Sequence, residues 1–176
     1  MTSRALLLAA IGLLPACGGG GPEAQAPIAQ EQPEDQILRV GRLWQSETRD
    51  TGFRTAPSPI ATFVTHTASR IAIVKGAPEV RETLMVDSTF KLQDGRSFAC
   101  QATAEIRTRA HYGDHAGEPA IQLERPALSL PRHCSPDGFP DPVLALPATT
   151  ARFALRGDRL VAFAPPVERR EYLPAD

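Results

Sequence analysis

Lysine, methionine and aromatic residues are scarce in this chain, and neither sign of charge is in surplus. Only Lys75 and Lys91 among its 19 basic residues are lysines. The arginines that make up the rest are scattered, so they read as compositional bias and not as a dedicated anion site. With 20 acidic groups the formal charge is −1, which leaves no basic footprint for nucleic acid. Beyond the extreme N-terminus no apolar run approaches about 18 residues, so no later segment can span a bilayer as a helix. A Gly-x-Ser-x-Gly elbow and a glycine-rich phosphate loop between strand and helix are both missing, which removes two common catalytic signatures. Proline, by contrast, is abundant: 17 in 176 residues, against a usual share of about 5%. Because proline is excluded from helix interiors and central strands, long helices are not expected.

The first residues have the layout of an export signal. Arg4 is followed by the uninterrupted apolar run 5–14, then by Pro15, Ala16 and Cys17; the run is too short for a membrane anchor and has the charged, apolar, small-residue order of a cleaved leader. Leu14-Pro15-Ala16-Cys17 resembles the lipobox of bacterial lipoproteins. The resemblance implies a signal peptide over 1–16, lipidation of Cys17 by diacylglycerol and acylation of the new amino terminus. More than one acyl chain gives a stable anchor that a single chain cannot. Gly18 stands where an aspartate would favour inner-membrane retention in that family, so the outer membrane is the expected location, with the domain facing the periplasm. Residues 17–35, with four consecutive glycines and Pro22, Pro27 and Pro33, have little to bury and are expected to form a flexible linker reaching roughly 21–25 Å.

Residues 36–176 form one expected domain, all-β and antiparallel. Leu84, Val86, Ser88, Phe90 and Leu92 alternate with Met85, Asp87, Thr89 and Lys91; after Asp94-Gly95 the period resumes at Phe98, Cys100, Ala102, Ala104 and Ile106. A two-residue turn would put the two apolar rows on opposite faces. A three-residue loop over 93–95 with Gly95 left-handed pairs Phe90 with Phe98, Ser88 with Cys100 and Val86 with Ala102. Residues 60–65 and 70–75 read as two strands joined by a short connection over 66–69. The apolar pairs Ile121/Leu123 and Leu128/Leu130 are out of phase across Pro126, which signals a bulge or an edge kink. A second hairpin around Gly157-Asp158 aligns Leu155 with Leu160. The stretch 36–44 fits either a helical stripe or a strand. About eight such strands close most economically into a small antiparallel β-barrel or a sandwich.

With Cys17 assigned to lipid, Cys100 and Cys134 remain in an oxidising compartment. A disulfide between them is the leading reading, with two free thiols or a metal pair as alternatives. His111, His115 and His133 are candidate metal ligands, but His111 and His115 in extended chain lie about 13 Å apart, so no metal site is expected. Ser135, His133 and Asp137 hold the residue types of a triad within one loop, and adjacency in sequence is not triad geometry. The outward row Glu105, Arg107 and Arg109 reads most simply as a solvated strand face.

Gly41-Arg42-Leu43-Trp44, the Asp94-Gly95 hairpin and the C-terminal Arg169-Arg170-Glu171-Tyr172 resemble small bacterial lipocalin-like proteins, with one residue more than that family's Gly-x-Trp opening. The resemblance implies that Trp44 plugs one barrel end and that an arginine of the last strand packs on it; it carries over no ligand-binding residue. The expected role is a non-catalytic, cofactor-free binding module, anchored to the membrane by lipid, for a small apolar ligand or for an envelope or exogenous protein. The alternative is a structural subunit of an outer-membrane assembly, and a hydrolase or metal-binding protein comes third.

Overall fold

The computed structural model describes residues 31–163 and 170–175. The leader, Cys17 and the first part of the expected linker lie outside the described residues. The chain begins with helix α1 (Pro33–Val40), whose start is set by Pro33 in the first turn together with Glu34 and Asp35, and whose last turn carries Arg39. This order matches the helix dipole and the tolerance for proline at a helix start. The ambiguity over 36–44 resolves into both readings in succession, a helix followed by strand β1 (Leu43–Phe53).

Long strands follow: β2 (Ile60–Ala72), β3 (Glu79–Leu92) and β4 (Ser97–His115). Next come β5 (Glu118–Arg125), β6 (Leu128–Pro131), β7 (His133–Ser135) and β8 (Val143–Leu146), and then β9 (Thr149–Arg156), β10 (Arg159–Ala162) and β11 (Glu171–Pro174). Of the two expected architectures the fold is the barrel. Eight antiparallel strands close in the order β1, β2, β3, β4, β5, β9, β10, β11, with β11 returning to β1. The register of the β3–β4 hairpin is the expected one: Phe90 faces Phe98, Ser88 faces Cys100 and Val86 faces Ala102. Gly95 has φ +90°, and Leu155 pairs with Leu160 in the last long hairpin.

Two expectations are corrected. Residues 60–75 are not two strands around a connection; β2 runs unbroken from Ile60 to Ala72. Thr65, Thr67 and Ser69 share the inward phase of Ile71, so a run of small polar residues that resembles a turn is a polar stripe inside the barrel. At Pro126 the change of phase is not a bulge within one strand. Proline has no N–H to continue the β5 ladder, and the chain leaves the barrel wall as β6, which pairs with β8 in a separate two-stranded sheet.

One barrel end is filled. Ile37 of α1 and Trp44 of β1 are fully buried with Ile71, Leu123, Phe153 and Tyr172, and the Trp44 indole N–H donates to the Gly41 carbonyl at 2.9 Å. Burying such a cluster is the main driving force for closure, at about 1.5–3 kcal/mol per large apolar side chain. Glu34 accepts the Gly76 N–H at 2.7 Å and Asp35 pairs with Lys75, which holds α1 against the β2–β3 loop. At the opposite end β1, β2, β3 and β4 project past the shorter strands. There Phe139 covers Phe90 and Phe98, with ring centroids 4.6 and 5.4 Å away. Arg132 clamps the same loop through the carboxylate and carbonyl of Asp141.

Cys100 and Cys134 sit directly opposite in the β4–β7 ladder and are joined by a disulfide. Closing a loop of this length stabilises by roughly 3–4 kcal/mol on the chain-entropy estimate. Among the described residues no helix is long and apolar enough to cross a membrane.

Candidate functional site

Across the middle of the barrel the interior turns polar. Ser69, Glu82, Thr108, Arg125 and Tyr172 come from β2, β3, β4, β5 and β11, and each projects inward because it shares its strand's apolar phase. Arg125 Nε donates to Glu82 Oε2 at 2.8 Å and its Nη2 to the Tyr172 hydroxyl at 3.2 Å. Tyr172 donates to Ser69 Oγ at 2.9 Å, and Ser69 donates to Glu82 Oε1 at 2.7 Å, which closes a ring. Thr108 adds a longer contact to Glu82 at 3.4 Å. Glu82 is 2% exposed and the Arg125 side chain 16%, so both charges are desolvated and are tolerable only as a pair. Burial alone would lower the Arg125 pKa, yet Tyr172 and Glu82 outweigh it and leave the pKa above its ordinary value.

Below this ring the barrel is hollow. A cavity of about 340 Å³ has Glu82 and Arg125 at its floor, Leu84, Val86 and Ile106 on the barrel wall, and Leu128, Leu144 and Leu146 of β6 and β8 on the opposite side. Asp50 and Arg170 also reach it. The apolar face of the β6–β8 sheet packs with Leu84, Val86 and Ala102, so the short sheet acts as a wall over the part of the barrel that β5 and β9 do not reach. The volume is at the low end of the ~300–1,000 Å³ usual for small-molecule sites, and the lining is mixed, with Thr65, Thr67 and Thr149 beside the charged groups and the apolar residues.

The histidines do not converge. His111 and His115 both point outward along extended β4; His111 meets Glu124 at 3.4 Å and His115 stacks on Phe163 at 3.7 Å. His133 pairs with Gln101, ten residues back along β4 from His111, or about 33 Å at 3.3 Å per residue. Among the described residues no group of three or more potential ligands could hold a metal ion, and no hydrogen bond joins His133, Ser135 and Asp137. Cys100 and Cys134 are spent on the disulfide. Glu105, Arg107 and Arg109 lie on the outer face of β4, exposed. Trp44 is buried in the filled end. The arginine expected over it falls either on Arg169, outside the described residues, or on Arg170, which reaches the cavity.

The polar ring was missed by the sequence reading, although a signal for it exists. Glu82 continues the row of Leu84 and Val86 by one step, Arg125 continues Ile121 and Leu123, Ser69 precedes Ile71, and Thr108 precedes Ala110. A charged group in the phase of an apolar row marks a buried site wherever the strand is long enough to fix the phase. Comparison with known proteins adds no further guide, since no family model matches this chain and neither curated proteins nor solved structures show a match.

Proposed function

We propose that the protein is a lipid-anchored binding module whose barrel takes up a small, largely apolar ligand in the cavity between the polar ring and the β6–β8 sheet. The observation that carries this reading is the hollow itself. One end of the barrel is packed solid by Ile37 and Trp44, whereas at the other a short sheet packs over Leu84, Val86 and Ala102 and leaves a cavity lined in part by Leu128, Leu144 and Leu146. The lipobox at Leu14–Cys17 supports tethering to the outer membrane, where apolar ligands are available at a short linker's reach. Cys17→Ser is expected to move the protein from the membrane to the soluble fraction and to abolish palmitate labelling.

The test of binding is fluorescence of an apolar probe such as anilinonaphthalene sulfonate with the intact protein and with Leu144→Trp, which fills the cavity from its edge. Probe affinity is expected to fall about tenfold or more, the effect of losing ~1.4 kcal/mol, with the melting temperature unchanged. Equal affinity in the two proteins overturns the reading.

A second reading, a structural or protein-binding role, is favoured by one feature. Beyond Gln45, β1 has no strand on its second edge among the described residues, and that edge ends at Phe53, 80% exposed. A free edge with an exposed aromatic suits addition of a partner's strand. Capture of one defined envelope protein that is lost in Phe53→Asp, with no change on Leu144→Trp, would favour this reading over the first.

A further inference from the structure

The barrel wall has a seam where β5 ends. β4 pairs with β5 from Arg109 to His115 and with β7 from Ala99 to Gln101, and among the described residues no strand pairs with 102–108 along that edge. In the continued register Pro126 stands opposite Arg107, and its missing N–H and the inward turn of the chain into β6 leave the gap. The inner cavity and a shallow outer groove of about 490 Å³ meet at this seam and share Arg125, Pro126 and Thr149. Inside the seam are Ile106 and Leu128; outside are Arg107 and Arg109, with Glu79 and Glu124.

The donors at the seam exceed the acceptors. A guanidinium carries five N–H donors and accepts nothing. Arg125 spends one on Glu82 and one on Tyr172, and the other three have no acceptor among the described residues. Arg107 faces Arg81 directly across the β3–β4 ladder, a like-charge pairing that is unfavourable unless an anion intervenes. Arg109 is flanked in register by Glu79 and Glu124, and Glu105 lies two residues from Arg107 on the same outer face of β4; the formal charges of this face balance, and the like-charged pair in it is Arg81 with Arg107. Glu82 is already supplied by Ser69, Thr108 and Arg125 and does not compete for a further donor.

We propose that the seam binds the anionic oxygen head group of a single-chain amphiphile, with Arg125 and Arg107 donating to the head and the chain lying in the cavity beneath β6 and β8. The inference rests on the reading of the cavity as a ligand site and names the class of ligand it takes. A cavity of about 340 Å³ has room for one short alkyl chain and not for two.

The experiment compares dodecyl phosphate, dodecyl maltoside and dodecyltrimethylammonium, each below its micelle concentration, by titration calorimetry with the intact protein. Dodecyl phosphate is expected to bind about tenfold tighter than the maltoside, as charge-assisted hydrogen bonds allow, and the cation weakest. Arg107→Gln, an exposed change, should remove most of that preference without altering the melting temperature. Arg125→Lys keeps a charge beside Glu82 but loses the donor fork, and should weaken the phosphate selectively. Equal affinity for the three heads, or a preference that survives both substitutions, overturns the seam while leaving the cavity as a ligand site. Absence of binding by all three overturns both.

Discussion

Glu82 and Arg125 occupy positions where strand alternation calls for apolar side chains, and each is acceptable only because the other is there. Removing one partner strands a buried charge, which costs far more than the pair contributes. Arg125→Met is therefore expected to destabilise by about 3–5 kcal/mol in urea unfolding, whereas Glu82→Leu combined with Arg125→Met should recover most of that loss. If the double variant is as unstable as the single, the ring holds the fold by something other than charge compensation. Tyr112 is the opposite case: its hydroxyl is buried with no hydrogen-bond partner among the described residues. Burial, with a smaller push from Glu34, raises its pKa from 10 to about 12. Since the folded pKa lies above the unfolded one, this group's contribution to stability is complete below about pH 10 and is lost as pH rises toward about 12. Tyr112→Phe is expected to leave neutral-pH stability unchanged or raise it by up to ~1 kcal/mol, and to reduce the loss of stability between pH 10 and 12. A clear loss of stability at neutral pH would show that the hydroxyl has a partner.

At the scale of elements, legibility followed the strength of the alternation. The β3–β4 hairpin could be read to the residue because a one-residue slip would expose a whole apolar row, and Leu155 met Leu160 for the same reason. β2 was harder because Thr65, Thr67 and Ser69 face a polar interior, so the apolar signal fades in mid-strand although the pairing does not. Pro126 announced an ending but not a destination; that β6 turns inward to pair with β8 depends on Leu144 and Leu146, which lie beyond a proline-rich loop. The β4–β5 turn carries its own test. Ala116 and Gly117 both have positive φ, +53° and +82°, as a two-residue hairpin turn of this hand requires. Alanine pays a steric penalty there that asparagine largely avoids, so Ala116→Asn is expected to stabilise by about 0.5–1 kcal/mol in thermal unfolding. No gain would mean that the strain is relieved elsewhere in the hairpin.

On the scale of the whole molecule, the barrel, its filled end and the cavity follow from closure of β11 on β1, strands more than a hundred residues apart in sequence. No local pattern specifies that contact. The disulfide was legible from cysteine arithmetic once Cys17 is set aside for the proposed lipid anchor, which leaves Cys100 and Cys134 as a pair; the polar ring was not, because its members span Ser69 to Tyr172 and only their phase betrays them. The resulting division of the interior, with a packed end under α1 and an open chamber under β6 and β8, is the basis for the binding role proposed for this chain. Methyl NMR during titration of the intact protein with dodecyl phosphate tests that division most directly. The account predicts saturable shifts at Leu84, Val86, Ile106, Leu128 and Leu144, with Ile37, Ile71 and Leu123 of the packed end unmoved. Shifts centred on the packed end or on residues beside Phe53, or no saturable shift anywhere, would contradict it.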